Sequence, residues 1–137
     1  MSAGFSKVVI CVFLFVILVL PGCMNIPITM TDAKIATGID EKLMPIEVKD
    51  IFPSSTKAVF CWFQWKGAQV DTKITATWYF VTDDIHILDY EFVVPRKDGW
   101  GSVSLSMPEG KVLPVGSYKV DLLLNTHKLK SLTFKVE

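Results

Sequence analysis

The sequence predicts an all-β domain, a β-sandwich of seven to eight short antiparallel strands following a cleaved N-terminal segment. Three observations carry this reading. Apolar and polar residues alternate in short runs, most cleanly over Thr72–Val81, where Ile74, Ala76, Trp78 and Phe80 share one face and Lys73, Thr75, Thr77 and Tyr79 the other. Turn-forming clusters such as Pro53-Ser54-Ser55, Lys66-Gly67, Thr82-Asp83-Asp84 and Pro108-Glu109-Gly110 separate the runs at the spacing of roughly 8–12 residues usual in sandwiches. After residue 32 no segment keeps a convincing helical period, residues 32–44 being the least clear-cut. Strands without helices to cover them must pack sheet on sheet.

Taken in order, residues 1–22 form a leader, with Lys7 ahead of the apolar run Val8–Leu20 and Pro21-Gly22 behind it. That run is well short of the ~20 residues of a membrane-spanning helix and suits a secretory signal peptide. Residues 23–32 read as a tether, since Pro27 argues against an edge strand there. The folded domain is then residues 33–137. Ala33–Ile39 is a short strand stopped by Gly38 and the polar trio Asp40-Glu41-Lys42, and Pro45–Phe52 is a loosely alternating one. Lys57–Lys66 is a strand rich in aromatic and β-branched residues, followed by Thr72–Val81 and Ile85–Val94. Pro95–Gly101 reads as a polar, glycine-containing loop. The strands Ser102–Met107, Ser117–Asn125 and Leu129–Val136 complete the domain, the last two turning Tyr118, Val120, Leu122, Leu132, Phe134 and Val136 inward.

Leu20-Pro21-Gly22-Cys23 resembles the lipobox of bacterial lipoproteins, with a leucine three positions before the cysteine and a small residue just before it; Pro21 stands where a small or β-branched residue is commoner. The resemblance implies cleavage between Gly22 and Cys23, a diacylglycerol on the Cys23 thiol, and anchoring of the protein in the bacterial cell envelope through that lipid. Met24 is not the aspartate associated with inner-membrane retention, which favours the outer membrane, facing the periplasm or the surface, if the organism is Gram-negative. A second resemblance covers Val59 onward. Leu113-Pro114-Val115-Gly116-Ser117-Tyr118-Lys119-Val120, the closing Leu132-Thr133-Phe134-Lys135-Val136, Ala76-Thr77-Trp78-Tyr79 and Gly99-Trp100-Gly101 are similar to the small immunoglobulin-like domains of bacterial and archaeal surface proteins and lipoproteins. It implies the fold and a surface location, and no reaction. The cysteine–tryptophan–cysteine hallmark of antibody domains is absent.

Composition narrows the function classes. The formal net charge is zero, and Lys7 is the only charged residue lost with the leader, so no electrostatic footprint for nucleic acid exists and no polybasic membrane patch is expected. Of three cysteines, Cys11 leaves with the leader and Cys23 carries lipid. Cys61, within Val59-Phe60-Cys61-Trp62-Phe63, remains as a buried small hydrophobe without a disulfide partner.

Catalytic chemistry finds no foothold. His86 and His127 have no cysteine, carboxylate or second histidine at metal-ligand spacing, and His86, sharing strand parity with Leu88, Tyr90 and Phe92, reads as a core-flanking or edge histidine. Asp83, Asp84 and Asp89 lack the order of a calcium loop. Asp89 and Glu91 share a strand face as a glycosidase pair could, yet alternating acids on an outer face are ordinarily just solvated. Ser102, Ser104 and Ser106 have no nucleophile elbow around them. The expectation is a non-enzymatic protein with no catalytic residue, no metal and no cofactor.

The aromatic residues remain. Lys57–Lys66 is apolar on both faces, Val59, Cys61, Phe63 and Trp65 on one and Phe60 and Trp62 on the other, so the second face must be covered or stand open for a partner. Ile46–Phe52 or a neighbouring loop is the expected cover. Trp100, beside Arg96, Lys97 and Asp98, is either a platform for a sugar or peptide or a cap on the end of the sandwich. The sequence therefore points to a monomeric, lipid-anchored binding module with Trp100, Arg96, Phe60 and Trp62 as candidate contacts for an envelope protein or glycan. The alternative is a structural accessory subunit of an envelope protein complex.

Overall fold

The computed structural model describes residues 28–137, so the leader, the Gly22–Cys23 junction and Cys23 itself lie outside the described residues. Among the described residues nine strands form two facing sheets: β1 (Thr29–Ile39), β2 (Pro45–Val48), β3 (Ile51–Phe52), β4 (Ala58–Lys66), β5 (Lys73–Phe80), β6 (Ile85–Val93), β7 (Gly99–Ser106), β8 (Gly116–Leu124) and β9 (His127–Val136). One sheet has the order β2-β1-β4-β7 and the other β3-β9-β8-β5-β6. Successive strands cross between sheets from β2 to β3, β3 to β4, β4 to β5, β6 to β7 and β7 to β8, which is a Greek-key sandwich. Every pairing is antiparallel except β3 with β9, where Ile51 and Phe52 lie parallel to Lys135 and Val136.

The alternation read from the sequence becomes the core. Ile74, Ala76, Trp78 and Phe80 of β5 face Val59, Cys61, Phe63 and Trp65 of β4, with Val120, Leu122, Phe134 and Val136 beside them. Tyr118 is stacked on Phe134 at 4.9 Å, and its hydroxyl donates to the Pro114 carbonyl at 2.5 Å. This ties the start of β8 back to the chain that leads into it, the tyrosine corner of immunoglobulin-type sandwiches, and the motif Pro114-Val115-Gly116-Ser117-Tyr118 supplies it. Gly116 sits at φ 150°, where a Cβ would lie 2.6 Å from Phe80 Cε1, so that position admits only glycine.

Four expectations need correction. The chain from Ile28 to Asp32 is not tether: Ile28 is buried and Thr29–Asp32 belong to β1, paired with Gln64–Lys66 of β4. A register shift between Met30 and Asp32 breaks the alternation there, which is why the segment showed no period. Pro45–Phe52 is two strands in different sheets, because the chain changes sheet after Val48. Trp100 stands in β7 opposite Gln64, not in a loop. Gly99 and Gly101 are strand residues whose missing side chains make room for rings, a Cβ on Gly101 falling 2.7 Å from Phe92 Cζ and one on Gly99 3.1 Å from Trp65 Cζ2. His86, finally, is an edge histidine, since β6 closes the five-stranded sheet, but it does not share the face of Phe92: the β5–β6 pairing shifts register between Trp78 and Tyr79 and leaves His86 exposed on the outer face.

Candidate functional site

Inner faces fill the core, so chemistry is left to strand ends and outer faces. On the four-stranded sheet the outer face carries Lys34 and Ala36 of β1, Phe60 and Trp62 of β4, and Ser102 and Ser104 of β7, which are cross-strand neighbours. The turn Asp40–Met44 lies over this face. Asp40 builds it, its Oδ1 accepting from the Lys42 and Met44 amides at 2.8 and 2.9 Å, and Leu43 adopts a left-handed φ of 63° within it. The turn then presents two carbonyls to the sheet. Leu43 O accepts the Trp62 indole N–H at 2.9 Å and Lys42 O accepts that of Trp100 at 3.0 Å.

The two indoles end differently. Trp62 is covered to 4% exposure, with the Lys34 ammonium 5.9 Å from its ring, whereas Trp100 remains 42% exposed with one edge fixed. Cover for Trp62 thus comes at least from the neighbouring turn, one of the two covers the sequence offered. Arg96 comes beside Trp100 by a separate device. Its carbonyl accepts the indole N–H of buried Trp65 at 3.0 Å, and its aliphatic stem lies against Gly99, whose absent side chain leaves the room. Trp100, Arg96, Glu41, Lys42 and Leu43 line one recess of about 230 Å³. It joins an aromatic face, a guanidinium and a carboxylate without burying any charge, an arrangement suited to contact and not to proton transfer.

Of the four residues expected from the sequence, Trp100 and Arg96 therefore meet. Trp62 lies under the same turn as a support, and half-buried Phe60 lines a smaller hollow of about 140 Å³ with Tyr90, Ser102, Val103 and Ser104. The sequence reading missed the β1–β2 hairpin itself. Leu43, Met44, Ile46 and Val48 are all exposed there, Ile46 opposite Gly38 and Val48 opposite Ala36, so that both strand residues point out from the sheet. The signal was present in the apolar residues flanking Pro45, but the sequence alone reads Ile46–Phe52 only as cover for Phe60 and Trp62 and gives Leu43 and Met44 no place.

Other sites are less promising. A larger recess of about 370 Å³ beside Asp50, Ser117, Thr133 and Lys135 gathers none of the expected residues, and one of about 190 Å³ under Phe80, Ile87, Leu105 and Met107 has no polar lining to orient a ligand. His86 Nε2 lies 2.8 Å from Asp89 Oδ1, and hydrogen bonds from His86 and Thr77 hold the exposed Asp89 carboxyl below its usual range. Glu91 is paired with Lys73 at 3.4 Å, so Asp89 and Glu91 each have a basic neighbour of their own. Cys61 is fully buried, and loss of hydration pushes its thiol up to about 12, which makes it inert. Among the described residues no three His, Cys, Asp or Glu side chains converge as metal ligands, and no helix is long and apolar enough to cross a membrane.

Comparison with known proteins bears on the fold. No protein-family model matches this chain, and no curated protein sequence matches it. Among solved structures it is similar to an immunoglobulin-like protein from Pseudomonas aeruginosa, with 14% identity and a TM-score of 0.58 over 83% of this chain and 99% of that one. It is also similar to part of the alkylpurine DNA glycosylase AlkC of Pseudomonas fluorescens, solved bound to DNA, with 10% identity and a TM-score of 0.51 over 83% of this chain and 31% of that one. A Niemann-Pick type C2 protein from the Japanese carpenter ant aligns at 10% identity with a TM-score of 0.43, over 84% of this chain and 96% of that one. The fold is an immunoglobulin-like β-sandwich.

Proposed function

We propose that this protein is a non-catalytic binding module of the bacterial cell envelope, anchored by lipid on Cys23, which captures an envelope protein or glycan on the outer face of its four-stranded sheet. One observation carries the reading: Leu43, Met44, Ile46, Val48 and Trp100 are exposed along one side of one sheet. A cluster of large apolar side chains on a small soluble domain marks a contact surface. The turn holds Trp100 at one edge before any partner arrives, so little side-chain freedom is lost on contact. The lipobox-like Leu20-Pro21-Gly22-Cys23 supports the anchor and the envelope location. The apolar strip extends along the β1–β2 hairpin beyond the recess, which supports a protein partner and with it the alternative, a structural accessory subunit.

The test combines accessibility with capture. Iodide should quench a single class of indole in the folded protein, because Trp62, Trp65 and Trp78 are buried, and Trp100→Phe should remove that class. Crosslinking in membranes followed by purification should recover a partner from wild type. Trp100→Ala should reduce recovery about tenfold or more, as expected for a tryptophan central to a contact, while Val81→Ala at the opposite end leaves it unchanged. A stoichiometric protein in the crosslinked product favours the accessory subunit, and a glycan favours the binding module. Recovery unaffected by Trp100→Ala overturns the assignment of this face.

A further inference from the structure

We propose that the end of the sandwich where β1 begins is a docking surface for an anionic lipid bilayer, so that the domain stands on the membrane in one fixed orientation. The inference rests on the acylation of Cys23 proposed above. Cys23 is five residues before Ile28, which is the first described residue and is buried, and five residues span at most about 18 Å when fully extended. The lipid therefore holds this end close to the headgroups. Thr29 pairs with Lys66, and the chain after Lys66 continues past Thr29 into the loop of residues 67–72, toward the side from which the tether arrives.

What that loop presents matches a bilayer surface. Val70 at its tip is 60% exposed, the most exposed large apolar residue of the domain. The loop is fastened to the chain before β7, Ala68 N donating to Lys97 O at 2.9 Å and Gly67 N to Asp98 Oδ1 at 2.9 Å, so the two segments move as one. Exposed Lys66 and Lys97 flank the loop, with Arg96 beside Trp100 at the margin of this end, and none has a carboxylate within ion-pair distance among the described residues. Of the acids nearest the tip, Asp71 and Asp98, Asp98 accepts from the Gly67 amide, and Asp32 and Glu91 farther along the strands are paired with Lys34 and Lys73. At the opposite end exposed Asp83, Asp84, Glu109 and Glu137 outnumber Lys57 and Lys111. Zero net charge thus conceals a basic pole beside the anchor and an acidic pole away from it. An anionic surface favours the basic pole within about a Debye length of the headgroups, roughly 8 Å. The indole of Trp100, at the start of β7 on this same end, stays on the side wall and free for its partner.

The test uses the mature protein reconstituted into vesicles of phosphatidylcholine with or without phosphatidylglycerol. An environment-sensitive fluorophore is placed on Val70→Cys or, at the far end, on Ser54→Cys; buried Cys61 does not compete for the label. In phosphatidylglycerol vesicles a headgroup spin label should quench position 70 several-fold more than position 54. That difference should shrink with added salt, in pure phosphatidylcholine, and in a Lys66→Glu, Lys97→Glu background whose far-ultraviolet spectrum is unchanged. Equal quenching at the two positions, in protein whose N-terminus mass spectrometry shows to be acylated, overturns the orientation and leaves the anchor standing. An unacylated Cys23 overturns both.

Discussion

Trp78→Ala should cost about 3–5 kcal/mol, the usual range for emptying a core position of a large aromatic side chain. Trp78 lies midway along β5, between Val120 of β8 and Leu88 of β6, and is fully buried against Phe134 with ring centroids 6.3 Å apart. Strand β5 joins both neighbours of the five-stranded sheet, so a void there loosens each of them and cannot be closed by one loop. Domains of this size have a total stability of only about 5–15 kcal/mol. The variant should therefore unfold at a much lower urea midpoint, with an unchanged slope if the fold is the same. Trp78→Phe separates two contributions. The indole N–H of Trp78 has no hydrogen-bond partner among the described residues, and a buried donor left unmatched is itself destabilising. Phenylalanine removes that donor while keeping most of the ring, so its cost should fall far below that of alanine. Equal costs for the two variants would show that the N–H is matched in solution, and a midpoint within experimental error of wild type for Trp78→Ala would remove Trp78 from the core.

The same residue shows what could be read without coordinates. Alternation over Thr72–Val81 has one physical cause, a strand with one face dry and one wet, and β5 is such a strand, Thr77 alone being buried on its outer face. β8 and β9 were legible for the same reason, and the tyrosine corner was legible as a motif before its hydrogen bond was seen. The misreadings share a cause as well. Apart from Pro45–Phe52, where the chain changes sheet, each lies where two residues oppose one or where a glycine serves a neighbour. The shift between Met30 and Asp32 concealed the first turns of β1, and the shift opposite His86 and Leu88 turned His86 outward. Gly99 and Gly101 resembled turn residues because the sequence cannot show that Trp65 and Phe92 occupy the space their side chains would need.

The candidate site was half legible. An aromatic strand apolar on both faces, and a tryptophan beside an arginine, are visible in one dimension. Their union is not, because it depends on a turn some twenty residues before Trp62 and nearly sixty before Trp100, as the bonds to Leu43 O and Lys42 O span. Asp40-Glu41-Lys42 reads as a polar stop to a strand, and it is one. Its second role, as the lid that buries Trp62 and the clamp that fixes Trp100, follows from the hairpin curling over the sheet, a tertiary outcome with no local signature.

Cys23→Ala is expected to abolish maturation outright, the largest functional effect of any single change in this chain. The thiol of Cys23 is the only group at the junction able to form the thioether that carries diacylglycerol, and alanine has no nucleophile in its place. Each methylene of an inserted acyl chain contributes about 0.8 kcal/mol, and two chains already give stable anchoring. Wild-type protein should thus remain in the membrane fraction through high salt, which detaches charge-held proteins but not lipid-held ones. Fractionation alone cannot judge the variant, because an unprocessed chain keeps the apolar run Val8–Leu20 and stays with the membrane for another reason. Intact mass decides. Wild type should begin at an acylated Cys23, and the variant should retain residues 1–22 without acyl mass. A mature wild-type N-terminus at any other residue, or an unmodified one, would refute the anchor. The sandwich would survive that result, since the core of the described residues, from Ile28 onward, is closed by its own side chains.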